Sequence, residues 1–166
     1  MFPNLGVVAL AAIVPMIVGF LYYNPKTVGN LWMKLSGMTE EKIKEGNMPL
    51  IYGLAYFLSF MMGIMLFTLV VHQTDYYSLL INEEGFGVEG SAIQNEITAF
   101  MDVYGSHFRT FKHGALHGAI IGIFVALPIL MTNGLFEGKK IKYGFVNAGY
   151  WIITLSLMGG VLCQWG

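Results

Sequence analysis

Three of the four histidines in this 166-residue chain stand where long apolar stretches begin or end. His113 and His117 are four positions apart, so on a helix both imidazoles project from one face. His72 closes the apolar stretch before them. Three neutral imidazole nitrogens form a donor set that zinc and similar borderline metals accept. Asp75, Asp102 or His107 can complete such a site; no cofactor is predicted from the sequence, a divalent metal on these residues being the alternative. Against it, histidines at such boundaries are commonly just hydrogen-bonded or solvated, and spacing does not say whether three ligands from separate elements meet. Cys163 is the single cysteine, which excludes an intramolecular disulfide framework and a Cys-based zinc site.

A second group is polar and sits at the opposite ends of the apolar stretches: Tyr22, Tyr23, Asn24, Trp32, Asn133, Glu137, Asn147 and Tyr150. An asparagine inside a bilayer is costly unless it is hydrogen-bonded. Asn133 and Asn147 are therefore expected to bond across helices or cap helix ends. The other reading is a small-ligand pocket with Glu137 as its acid. A third group carries packing rather than chemistry. Gly114, Gly118, Gly122 and Ala126 recur every four residues, a small-residue stripe that lets another helix approach closely. It is expected to pack against another span of the same chain, with Gly159 and Gly160 receiving it, or against a second copy.

The elements that must position these groups are membrane spans. The chain is 55% hydrophobic and 11% charged, with a formal net charge of −1, against about 25% charged in ordinary soluble domains. No basic field exists of the kind that phosphate neutralisation needs, which sets nucleic acid aside as a partner. Residues 5–23, 49–71, 113–132 and 145–165 contain no Asp, Glu, Lys or Arg. About twenty such residues match the hydrocarbon core of a bilayer. The expected fold is all-α and polytopic, one domain of four transmembrane helices in a bundle. The first span has no preceding Lys or Arg, so it is read as a retained span rather than a signal peptide.

Charge asymmetry orients the bundle. Lys26, Lys34, Lys42 and Lys44 fall in loop 24–48, and Lys139, Lys140 and Lys142 in loop 133–144, so both loops are expected to be cytoplasmic. Segment 73–112 carries Asp75, Glu83, Glu84, Glu89, Glu96 and Asp102 against Arg109 and Lys112, and is expected outside with both termini. In the first loop Val28, Leu31, Trp32 and Leu35 recur at helical spacing, which predicts a short helix on the inner surface. Thr39 is placed to cap a turn through Glu40 and Glu41. In the outer segment a turn over 85–90 precedes a capping box, Ser91 and Gln94. Ile93, Ile97, Phe100, Met101, Tyr104, Phe108 and Phe111 then form an amphipathic stripe leading into span three.

Several of these residues are also shared with a known family. Gly19-Phe20-Leu21-Tyr22-Tyr23-Asn24-Pro25 followed by Leu31-Trp32-Met33-Lys34 resembles the G-x-x-W-Y-x-P…W-M pattern of a bacterial membrane family known as domain of unknown function 1761. The runs Asn133-Gly134-Leu135-Phe136-Glu137-Gly138 and Val146-Asn147-Ala148-Gly149-Tyr150, then Leu157-Met158-Gly159-Gly160 and Trp165, are similar to its N-x-L-F-E-G…I-N-A-G-Y…L-M-G…W run. Tyr22 stands where the family usually has Trp, and the outer segment is long for it. The resemblance implies a four-span fold in a bacterial cytoplasmic membrane and brings no activity with it.

No ionised side chain lies within a span, which weighs against an ion-coupled transporter. Nucleotide-binding loops and the common hydrolase signatures are absent. The leading expectation is therefore a non-enzymatic membrane protein, partnered by the lipid bilayer, that self-associates or joins a larger membrane assembly. The alternatives are a dimeric small-solute channel or transporter and a metal-binding protein using His72, His113 and His117.

Overall fold

The computed structural model describes residues 2–166, and every regular element among them is helical. Four helical stretches, Leu5–Tyr22, Met48–Val70, Phe111–Phe136 and Ile141–Trp165, are long and apolar enough to cross a membrane. The protein thus has the four-span, all-α architecture expected of a multi-pass membrane protein. Large apolar side chains such as Phe20, Leu58, Leu116, Phe124 and Phe136 stand exposed on it, an arrangement that hydrocarbon tolerates and water does not.

Span one is two helices, α1 (Leu5–Ala11) and α2 (Val14–Tyr22), separated by a turn at Ala12 and Ile13. The break follows from Pro15, which has no N–H to donate into the preceding turn. Asn4 opens α1 by accepting the Gly6 amide at 3.0 Å. After α2 the chain doubles back: Asn24 Oδ1 accepts the Lys26 amide at 2.9 Å, and Gly29 lies so close to the Tyr23 carbonyl that a β-carbon would overlap it. The short helix α3 (Gly29–Ser36) ends at Gly37 in the left-handed region, the usual exit for a glycine. Thr39 caps α4 (Glu40–Lys44) through the Lys42 amide. Span two is α5 (Met48–Val70), capped by Asn47.

The connection from span two to span three holds two helices, α6 (Gln73–Leu80) and α7 (Ala92–Tyr104). They pair through a stacked Tyr76 and Phe100, ring centroids 3.9 Å apart. The capping box is half formed. Ser91 Oγ accepts the Gln94 amide at 3.1 Å, but the Gln94 side chain accepts the Gly87 amide instead of returning to Ser91. Nor does the amphipathic stripe run unbroken into span three: α7 ends at Tyr104, and Thr110 caps a new helix through the His113 amide.

Span three comprises α8 (Phe111–Ile121), a π-helical turn over Gly122–Ala126, and α9 (Leu127–Phe136). The widened turn immediately precedes Pro128, whose ring cannot fit beneath a normal α-turn. Span four is α10 (Ile141–Trp165). Helix extends past the uncharged windows, to Phe136 in span three and from Ile141 in span four, so Lys142 lies in the first turn of α10 and Glu137 caps α9. The turn between spans three and four is therefore shorter than 133–144.

Span four is the centre of the bundle, touching the other three. Met158, Leu162 and Leu155 pack with Val8 of span one and Leu66, Phe67 and Val70 of span two. Its closest partner is span three, where the glycine stripe lies on it backbone to backbone. A methyl added to Gly114 would overlap the Gly159 carbonyl, one on Gly118 the Leu155 carbonyl, and one on Gly122 the Ile152 α-carbon. Gly160 leaves room for the Phe111 ring. Ser156 Oγ adds a hydrogen bond to the Ala115 carbonyl at 2.9 Å. Gly114, Gly118, Gly122, Gly159 and Gly160 are thus covered within the chain, with Ala126 half-buried at the end of the stripe.

Candidate metal centre

His72 follows the last turn of span two, and His113 and His117 share a face of α8, one turn apart. Packing of the two spans brings the three imidazoles together, with one ring nitrogen of each within 4.8 Å of the other two. The Nε2 atoms of His72 and His113 are 2.9 Å apart. The His117 ring centroid lies 4.9 Å from that of His72 and 4.5 Å from that of His113. Zinc–imidazole bonds of about 2.0–2.1 Å at a tetrahedral angle put ligand nitrogens roughly 3.3 Å apart. The His72–His113 separation is a few tenths of an ångström below that spacing, and all three nitrogens lie within 4.8 Å.

The donor set is three imidazoles without thiolate or carboxylate, which suits zinc, copper, nickel or iron and not magnesium or calcium. Three protein ligands leave a coordination position open. Beside His72 lies a cavity of about 240 Å³ lined also by Gln73, Phe100, Tyr104, His107 and Phe108. Of the residues expected to complete the site, His107 lines this cavity, whereas Asp75 and Asp102 are exposed and outside the cluster.

Two residues position this end: Gln73, which the sequence did not mark, and Phe108, expected only as part of the amphipathic stripe. Gln73, 5% exposed, donates through Nε2 to the carbonyls of Tyr104 at 2.8 Å and His107 at 2.9 Å. It ties the end of α7 to the turn that carries His72. Phe108 has φ +60°, the one positive value at a non-glycine residue among those described, and its ring lies 5.1 Å from His113. For a bulky residue this conformation costs of order 1–3 kcal/mol and clusters at functional sites. The signals were a buried-position glutamine directly after a span and the Gly105–Ser106 break in the amphipathic stripe.

At the other end of the bundle, six of the eight polar residues come together. Tyr23 donates to Asn147 Oδ1 at 3.1 Å, and Asn147 Nδ2 donates to the Tyr143 carbonyl at 3.0 Å. Tyr22 donates to the Val146 carbonyl and Tyr150 to the Pro15 carbonyl, each at 3.0 Å. The Tyr23 ring packs on Trp32 and Tyr150 at 5.5 and 5.2 Å, and Asn24 holds the turn between them. Asn133 and Glu137 do not join. Both are exposed, Asn133 within α9 and Glu137 at its C-cap. Lys139 reaches across to the Ser36 carbonyl at 2.8 Å, so the two lysine-bearing loops share one end of the bundle.

The class is thereby defined: a four-span α-helical membrane protein with a histidine cluster at one end and a tyrosine–asparagine network at the other. The chain belongs to the family described as protein of unknown function (DUF1761), whose profile matches residues 7–163. No curated protein and no solved structure matches it.

Proposed function

We propose that this is a metal-binding membrane protein holding one transition-metal ion of the zinc class on His72, His113 and His117. The observation that carries the reading is the convergence of three imidazole nitrogens from two spans within 4.8 Å. The strained Phe108 and the Gln73 tie support it, since both order the chain around the cluster. The open coordination position beside a cavity admits water or a small anion. With positive residues favouring the cytoplasm, the histidine end and both termini face outward, so the ion is taken from the outer side.

The assembly reading loses one of its two supports, because the glycine stripe is occupied by span four of the same chain. Part of α7 remains open to a partner, with Val103 and Tyr104 exposed. The network that includes Asn147 is internally satisfied, which offers a channel no unpartnered polar lining there. Metal content of protein purified without chelators tests the proposal. The expected result is about one ion per chain, lost when His113 and His117 are both changed to Ala. Equal metal content in wild type and variant would refute it.

A further inference from the structure

Below the Pro15 break, span one lies against span two only in part. Above it the two are in contact: a β-carbon on Gly63 would stand 3.1 Å from Val8, and Tyr56 donates to the Ala9 carbonyl at 3.2 Å. Below it α2 leans on span four through Tyr150 and Tyr22. The result is a groove of about 1140 Å³ between α2 and the first half of α5, floored by Tyr150 and Trp151 and closed at its end by α3 and α4. It exceeds the roughly 300–1,000 Å³ of ordinary small-molecule pockets. Phe20 and Leu58, both in its lining, are 74% and 60% exposed, so it opens sideways toward hydrocarbon.

The lining is graded. Apolar side chains make most of it. Trp32 and Trp151, whose indole N–H groups can only donate, stand in its wall with the hydroxyl of Ser59. At the rim, α4 presents Glu40 and Lys44, one helical turn apart and opposite in charge. We infer that the groove is a binding site for one zwitterionic phospholipid bearing both a phosphate and an ammonium group. Its acyl chains lie against the apolar wall and its ester carbonyls accept from the indoles. Lys44 takes the phosphate and Glu40 the ammonium. An anionic lipid without an amine satisfies Lys44 and meets repulsion at Glu40, so the rim discriminates between them.

Native mass spectrometry of the full chain in mild detergent, with phosphatidylethanolamine or phosphatidylglycerol of identical acyl chains added, tests this. The expected result is one phosphatidylethanolamine retained when other lipids are stripped, preferred about fivefold over phosphatidylglycerol, as one exposed charge contact allows. The variant E40Q/K44Q lies outside the spans, so it leaves the bundle intact and removes the preference. Ala55→Trp, which projects a bulky ring into the groove from α5, lowers the retention of both lipids. Equal retention of the two lipids, no retained lipid, or a preference that survives E40Q/K44Q overturns the inference.

Discussion

The imidazoles of His72 and His113 meet Nε2 to Nε2 at 2.9 Å. One of the two nitrogens must carry the proton and the other the lone pair, so in the metal-free protein the rings hold each other as a hydrogen-bonded pair of opposite tautomers. In the proposed metal site an ion would take the place of that shared proton, with His117 supplying the third nitrogen. The contact exists because span two ends and span three begins at the same end of the bundle, where Gln73 ties the turn after span two to the chain leading into span three.

Gln73→Leu should therefore loosen this end without touching a ligand. It leaves the Tyr104 and His107 carbonyls without their donor, a loss of about 1–3 kcal/mol. The expected outcome is a lower thermal midpoint in detergent and weaker metal binding, with stoichiometry unchanged by metal analysis.

Gly118→Leu should separate spans three and four, because its side chain would have to displace the Leu155 backbone. Overpacking of this kind costs about 1–3 kcal/mol or more. Gly134→Ala is the control: its β-carbon finds Tyr143 at 3.7 Å, an ordinary contact. Unfolding curves in mixed micelles should show a large loss for the first and little change for the second.

Tyr23→Phe and Asn147→Ala break one hydrogen bond between spans one and four. Coupling between polar partners in membranes averages about 0.6 kcal/mol. A double-mutant cycle should return a value of that size, and additive single effects would mean that the two side chains do not interact.

Much of this was legible from residue order, for reasons that differ by element. The four spans declare themselves because hydrocarbon excludes ionised side chains, and their uncharged windows need no tertiary context. The pairing of His113 with His117 follows from helical periodicity. The arrival of His72 depends on how two spans pack, which no local pattern encodes. The helix α6 has a weak apolar pattern and is held by Tyr76 on Phe100, a contact between residues distant in sequence. Asn133 and Glu137 flank a span as the tyrosines do, yet both stay exposed and outside the network, which no local pattern tells apart. The groove is a gap between helices, and only its Pro15 hinge is visible in the sequence.

Orientation is open to a direct check. Single cysteines at Thr39 and Ser106, in a chain whose Cys163 is buried, should be labelled by a membrane-impermeant thiol reagent from opposite sides. Ser106 is expected to react in intact cells and Thr39 after permeabilisation alone.

The proposed metal site is tested most directly by titrating the purified, metal-free protein with cobalt(II) and following its visible d–d absorption. Ligation by three imidazoles and one solvent molecule predicts an intense four-coordinate spectrum that saturates at one ion per chain and is abolished in His72→Ala. A spectrum no stronger than that of hexaaqua cobalt, or one that persists unchanged in His72→Ala, would contradict it.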